Sequence, residues 1–480
     1  MSSDAAASTE PQTKRVLGLR DLVLFYIAAT INVRWLPVAA AAGPSTIVIW
    51  LLGVVTIFLP VALAVMELSS RYPQEGGMYV WSKHAYGDFA GYMTGWIYWM
   101  SNLPYYPAVL YFAASNVLYV GGERWKGLQG SSTFFVTFSL LGLGLALILN
   151  IVGLNVGKWL SNLGAIGIWI PIVILCLVGA VAWHKFGSAT SFSPVALKPS
   201  FAMANFAIWA TLMGAFTGAE AGSFMGGEIK DARRIIPRAL LIAGVLITVG
   251  YLLGTIAILI VLPASRLNNL EGIMQAISTS TSRIGWGDLG PAMALFICVA
   301  NLGAVGAYLA STSRIPFVVG IDRYLPRAFA KVHPRWGTPY VSLIVQGLFC
   351  VVFVLLGQFG SSVHSAYDLL VSMTVITTFL PYLFMFAALI RLQREPVEAG
   401  VVRIPGGKPI AMVLGIVGCI GTLAVIAGSV IPDASETNKI LAVSKVVGLN
   451  ALVLGSGALL YWSGRRGAIK QTWKGLRRLE

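Results

Sequence analysis

Residues 28–37 run Ala-Ala-Thr-Ile-Asn-Val-Arg-Trp-Leu-Pro, and residues 213–222 run Met-Gly-Ala-Phe-Thr-Gly-Ala-Glu-Ala-Gly. Both stretches fall inside long apolar runs, and both are poor material for a continuous α-helix. Pro37 has no backbone N–H, so the carbonyl four residues back, that of Val33, is predicted to be free. Asn32 and Arg34 place polar groups at the same depth. In the second stretch Gly214, Gly218 and Gly222 weaken the helix and leave its backbone accessible, while Glu220 adds a carboxyl group. The meaning of such breaks depends on the solvent around them, which the composition decides.

Of the 480 residues, 57% are hydrophobic and only 11% charged, whereas a soluble domain is roughly a quarter charged. Mean hydropathy is +0.77, and no water-facing shell can be built at that value over this length. The composition excludes a soluble globular enzyme, a disordered protein and a disulfide scaffold, and predicts an all-α polytopic membrane protein. About 20 apolar residues are needed for a helix to cross a bilayer. Twelve runs qualify, over 21–43, 45–68, 89–119, 132–153, 158–184, 203–226, 238–263, 289–318, 339–357, 364–391, 409–432 and 440–463. The long third and eighth runs predict tilted helices. Cys176, Cys298, Cys350 and Cys419 sit apart in apolar runs, with neither disulfide nor metal spacing. The four histidines are scattered, with no His-x-x-His pair, so no metal site and no cofactor is expected. His364 with Asp368 reads as a surface pair or an external pH-sensitive gate.

The net charge of +15 has a direction. With twelve crossings, 25 of the 34 Lys and Arg residues fall on the side of the two termini, 8 fall opposite, and Arg34 lies inside a run. Positive charge retained on the cytoplasmic face then puts both termini in the cytoplasm. The basic excess belongs to loops; no basic face interleaved with aromatics speaks for nucleic acid. The N-terminal MSSDAAASTEPQTKR is polar, lacks a leader pattern and predicts a short disordered tail. The C-terminal GRRGAIKQTWKGLRRLE is either a stop-transfer anchor or a basic segment lying on anionic lipid.

Inside a bilayer, irregular backbone survives only where it is buried in protein or lines a cavity. The two breaks occur in the first and sixth runs, five helices apart, as a 5+5 inverted repeat would place them. Interrupted helices in corresponding halves point to a substrate site near the midplane. Half-helix N–H groups there suit an anionic group and open carbonyls suit an ammonium, the two charges of an α-amino acid. Proline kinks and glycine packing faces without any ligand are the plainer alternative.

Several further stretches sharpen this. Glu67-Leu68-Ser69-Ser70-Arg71-Tyr72-Pro73 precedes Glu75-Gly-Gly-Met-Tyr-Val-Trp81; FTGAE precedes GGEIKDARRIIPRA; Ser313-Arg314 leads to Asp322-Arg323-Tyr324-Leu325-Pro326; and Arg403-Ile-Pro-Gly-Gly-Lys408 precedes the eleventh run. In this order, from about residue 17 to 463, they resemble the amino acid–polyamine–organocation transporter superfamily, and within it bacterial antiporters of the glutamate/γ-aminobutyrate type. The resemblance implies the LeuT-type fold: a cytosolic tail over 1–16, inverted repeats over 17–200 and 201–395, two extra helices within 396–463 and a basic tail over 464–480. It implies an amino-acid carrier in the plasma membrane, an exchanger favouring acidic or neutral over cationic substrates. A proton-coupled symporter or a non-transporting sensor remains open, as does the oligomeric state.

By position, the resemblance assigns the substrate carboxylate to the first break (Ile31, Asn32, Val33, Arg34, Trp35) and the amino group to carbonyls of the second (Gly214, Ala215, Phe216, Thr217). Tyr98 and Phe216 would gate, Glu220 would gate or carry protons, Asn102 and Tyr106 would border the side-chain pocket, and Val305, Thr378 and Tyr382 would line the path. The usual glycine-rich first break is replaced here by Asn-Val-Arg-Trp, Val305 stands where arginine-type antiporters have a large aromatic, and the fifth run (162–181) has no lysine. A guanidinium at mid-membrane is costly unless paired or wetted. Arg34 is therefore a substrate anchor, a fixed cation in place of a coupling sodium, or half of an ion pair with Glu220. Glu67 is placed to pair with Arg71 at i+4.

Overall fold

The computed structural model describes residues 15–199, 202–267, 272–321, 324–358, 363–431 and 439–476. The chain begins with α1 (Leu19–Thr30), α2 (Trp35–Ala41), α3 (Thr46–Gly53), a π-helical turn (Val54–Phe58), α4 (Leu59–Arg71), α5 (Met78–Tyr86), α6 (Asp88–Asn102), α7 (Tyr105–Gly121), α8 (Ser132–Val152) and α9 (Leu154–Phe186). After the short α10 (Pro194–Leu197) come α11 (Met203–Met213), α12 (Ala232–Val261), α13 (Gly272–Arg283), α14 (Gly290–Thr312), α15 (Arg314–Ile321), α16 (Tyr340–Gln358), α17 (Val363–Leu392), α18 (Gly407–Ser429) and α19 (Lys439–Leu476). Among the described residues seven helices are long and apolar enough to cross a membrane, or eight if α1 and α2, bent by 47°, are one span.

The remaining apolar runs are carried by shorter pieces. The third is not one tilted helix but α6 and α7, which meet at Leu103-Pro104; the eighth, by contrast, is one long span over Gly290–Val319, in which α14 and α15 follow each other across Ser313. The sixth ends as an α-helix at Met213 and continues as 3₁₀ turns over Gly214–Phe216 and Ala221–Glu228. Helices α5 and α13 lie in stretches read as loops. The tail over residues 1–14, Asp322-Arg323, the His364 and Asp368 side chains and the C-terminal basic side chains lie outside the described residues.

Helix α14 sits at the centre, packed on α9, α7 and α1. Small residues permit this: a Cβ on Gly303 would lie 2.4 Å from the Cα of Gly164, and one on Gly164 would lie 2.6 Å from the Cα of Gly303. Without a hydrophobic drive between helices in lipid, such backbone approach supplies the packing.

Polar clasps close one end of the bundle. Glu67 and Arg71, both buried, pair at 2.6 Å. Gln393 Nε2 (2.7 Å) and the Ile404 N–H (2.9 Å) also donate to Glu67, and Arg71 donates to the Leu392 carbonyl at 2.8 Å. Arg314, fully buried, makes a bidentate pair with Glu228 at 2.7 and 3.0 Å and reaches the Ala310 carbonyl and Ser313 Oγ. The Glu228 carbonyl in turn accepts from Val16 (2.9 Å) and Leu17 (3.0 Å), and Lys230 donates back to Leu17 at 3.1 Å. Val16, placed in the tail by the sequence reading, is thus tied down.

Removing one partner of a buried ion pair strands the other. Arg314→Met should lower stability by about 3–5 kcal/mol, whereas Arg233→Met, whose pair with Glu398 is exposed, should cost about 0–1 kcal/mol. Unfolding midpoints of the two purified variants check this; equal midpoints would contradict it.

Candidate functional site

The first break is built by Asn32. Helix α1 ends when Ile31 turns extended at ψ 117°. Asn32 Oδ1 then accepts from the Arg34 N–H at 3.1 Å, an Asx turn, and its carbonyl accepts from the Trp35 N–H at 3.1 Å. Asn32 so caps α2 with both of its oxygens. Pro37 does not break the helix: it sits in the first turn of α2, where a missing N–H costs nothing. The Val33 carbonyl expected to be free accepts from Leu36 at 3.2 Å. Of the break's amides, that of Asn32 is taken by Tyr251 Oη (3.1 Å) and that of Arg34 by Asn32; among the described residues the Val33 N–H has no partner.

The second break turns on Gly218. Thr217 is extended and Gly218 has φ +115°, which L-residues rarely adopt. A Cβ there would stand 2.8 Å from Tyr308 Oη, 2.9 Å from Thr30 Oγ1 and 3.0 Å from the Ala29 carbonyl. The Gly214 carbonyl accepts from Thr217 N (3.3 Å) and Oγ1 (2.8 Å), and the Ala215 carbonyl from Tyr251 Oη (3.0 Å). Among the described residues no hydrogen bond reaches the carbonyls of Phe216 or Thr217.

Two residues absent from the sequence reading hold this region: Tyr251 joins the two breaks and Asn301 braces the first. The Tyr251 hydroxyl faces the carbonyls of Thr30 (2.8 Å) and Ala215 (3.0 Å) while accepting from Asn32 N–H. Asn301 Oδ1 accepts from Asn32 Nδ2 at 3.1 Å, and its own amide is anchored on the Ile297 carbonyl. The indole of Trp50 stacks on Tyr251 (centroids 4.7 Å, 7° apart) and donates to Thr255 at 3.0 Å. A tyrosine beside a glycine in an apolar run, Gly250-Tyr251, was the only signal in the sequence.

Glu220, with no exposed surface, accepts from Tyr98 and Tyr382, each at 2.6 Å, and from the Gly218 N–H at 3.1 Å. Three elements, α6, α17 and the second break, thus meet on one carboxyl group. Tyr98 also stacks on Phe224, centroids 4.7 Å apart.

The other predicted residues have the following surroundings. The Phe216 ring packs among Trp50, Phe58 and Tyr251. The Tyr106 hydroxyl is occupied by Thr312 (2.6 Å) and Gln346 (2.7 Å), a network completed by Trp99. Asn102 and Thr378 turn back on the carbonyls of Tyr98 and Thr374. Val305 is buried on α14 one turn from Tyr308, and Trp35 packs on Gly214, where a Cβ would lie 3.3 Å from its ring. Arg34, 4% exposed, forms no ion pair with Glu220; its guanidinium carbon lies 4.5 Å from the Trp35 ring centre and 5.5 Å from that of Tyr105.

Seven or eight apolar spans among the described residues, packed into one all-helical bundle, define a polytopic membrane protein. The chain belongs to the amino acid permease family, whose model matches residues 17–452, and is an amino-acid transporter of the amino acid–polyamine–organocation superfamily. It is 30% identical to an uncharacterized transporter of Legionella pneumophila, over 87% of this chain and 89% of that one. It is 26% identical to two Bacillus subtilis proteins: the serine/threonine exchanger SteT (75% of this chain, 78% of that one) and the glutamate/serine transporter AimA (71% and 66%). The structure matches MhsT in complex with L-phenylalanine with a TM-score of 0.62 at 14% identity, covering 87% of this chain and 99% of that one, which shows the LeuT-type fold.

Gly218→Ala should abolish transport while the protein still reaches the membrane, because the clash falls on Thr30, Ala29 and Tyr308 together. Uptake alongside surface expression checks this; wild-type uptake would contradict it.

Proposed function

We propose that the protein exchanges amino acids by alternating access, holding the zwitterion between the two breaks. The observation that carries this reading is the pair of open groups: the Val33 amide with the Arg34 guanidinium on one break and the Phe216 and Thr217 carbonyls on the other. They offer donors to a carboxylate and acceptors to an ammonium. Ile31, Asn32, Trp35, Gly214 and Ala215 shape this space, with Tyr251 and Asn301 fixing it.

The chain crosses twelve times with both termini in the cytoplasm and resides in the plasma membrane. Repeats over 17–200 and 201–395 are inverted, and 396–463 adds two helices. The 25-to-8 asymmetry of basic residues supports this topology. Tyr98 and Tyr382 act as a gate by letting go of Glu220 when the break moves. Three donors already satisfy that carboxylate, which favours a latch over a proton carrier, and hence exchange over proton coupling. The exchanger SteT among the relatives supports the same reading. Acidic and neutral substrates are favoured, because Arg34 would repel a cationic one at low dielectric.

Ligand binding to the folded state alone raises stability, so α-amino acids should raise the unfolding temperature while their decarboxylated amines do not. Equal shifts with the amines would remove the carboxylate from the reading. Tyr98→Phe and Tyr382→Phe should each slow exchange about tenfold or more, the equivalent of one hydrogen bond to a charged group, with substrate affinity nearly unchanged. An unaltered maximal rate in liposomes would refute the latch.

A further inference from the structure

Arg34 holds a buried charge that the protein leaves unanswered. Its Nε and Nη1 are buried and have no hydrogen-bond partner. No carboxylate among the described residues pairs with it: Glu220 is held by Tyr98, Tyr382 and Gly218, Glu228 by Arg314, and Glu67 by Arg71, Gln393 and Ile404. Among the described residues the faces of Trp35 and Tyr105 stand against its guanidinium, and a ring quadrupole compensates a desolvated cation in part. Arg314 shows what this chain does with an arginine of structural purpose: it is equally buried and fully paired. Arg34 stands at the N-cap position of α2 next to the open Val33 amide, on the break that Tyr251 joins to the Ala215 carbonyl and that packs Trp35 against Gly214.

Resting on the exchange reading above, we infer that Arg34 selects a dicarboxylic amino acid as cargo and makes exchange obligatory. The α-carboxylate and α-ammonium of any amino acid cancel in charge, so a monocarboxylic substrate held by the breaks leaves the net positive charge of Arg34 in place. A second carboxylate, accepted in the bidentate manner a guanidinium favours, neutralises it. The loaded carrier then closes without an isolated charge, whereas the empty carrier must carry that charge through the occluded state. Arg34 therefore disfavours the return of the empty carrier, and flux proceeds only when cargo moves in both directions.

The test uses the full chain in liposomes. Labelled glutamate uptake should be at least tenfold faster into vesicles preloaded with glutamate than into empty ones, and glutamine, the uncharged isostere, should compete at least tenfold less well. Arg34→Met should bring both ratios towards one, and Arg34→Lys should keep most of each. Equal competition by glutamine in the wild type, or ratios that Arg34→Met leaves unchanged, would overturn the inference while transport itself stands. A wild type that moves no amino acid would instead refute the exchange reading. Should Arg34→Met fail to fold, the wild-type glutamate-to-glutamine ratio and the stimulation by preloading decide alone.

Discussion

An amide or carbonyl left without a partner in an apolar medium costs about 2–7 kcal/mol, and two interrupted helices meeting in mid-bundle expose several. Tyr251 answers three of them with one oxygen. Its proton faces the carbonyls of Thr30 and Ala215, and its lone pair takes the amide of Asn32. One of these groups ends α1, one begins the first break and one lies in the second. The phenol therefore fixes the spacing between breaks that have no direct backbone bond among the described residues. Trp50 stacks on its ring and Phe216 meets it edge-on, so the apolar packing of α3 and the π-turn transmits directly to the position of one oxygen.

With that spacing fixed, the remaining polar groups divide into the satisfied and the open. Asn32 spends its side-chain oxygen on Arg34, its side-chain amide on Asn301 and its backbone carbonyl on Trp35. Glu220 is saturated by two phenols and an amide. What stays open is small and of both signs: one amide and one guanidinium against two carbonyls. An open group is costly, and keeping it is consistent with a site that ligand completes, since a protein with no use for it could pair it as Arg314 is paired.

The sequence reading succeeded where the signal was local. Apolar runs have a length the bilayer dictates, and the glycines of 214–222 and the polar pair Asn32 and Arg34 stand out against them. Glu220 stood out locally as a carboxyl group among those glycines, whereas Tyr98 and Tyr382, which meet on it, came from the family resemblance, because nothing local joins residues 122 and 162 positions apart. The same resemblance gave Phe216 a gating role and Tyr106 a place by the side-chain pocket; the structure shows the Phe216 ring packed among Trp50, Phe58 and Tyr251 and the Tyr106 hydroxyl bonded to Thr312 and Gln346. Pro37 misled for a physical reason: proline disrupts a helix interior but starts a helix well, and composition does not reveal which side of a break it occupies. Tyr251 and Asn301 were missed because their partners lie 219 and 269 residues away.

The clasps at one end and the carboxylate at the centre are mechanically linked through the second break. Glu220 and Glu228 stand at the start and end of the 3₁₀ segment Ala221–Glu228. The first holds it to α6 and α17 and the second to Arg314 at the start of α15, while the Glu228 carbonyl holds the segment before α1. A 3₁₀ turn has poorer hydrogen bonds than an α-helix, so these side-chain ties carry much of what holds the segment in place. Motion of its end away from α15 must break the Arg314 pair, and motion away from the segment before α1 must break the Leu17–Ile229 bridge, whereas motion at its other end must release Tyr98 and Tyr382. Under the proposed topology these are an inner and a central latch on one lever. Opening at that end costs the loss of a buried ion pair, which closing restores.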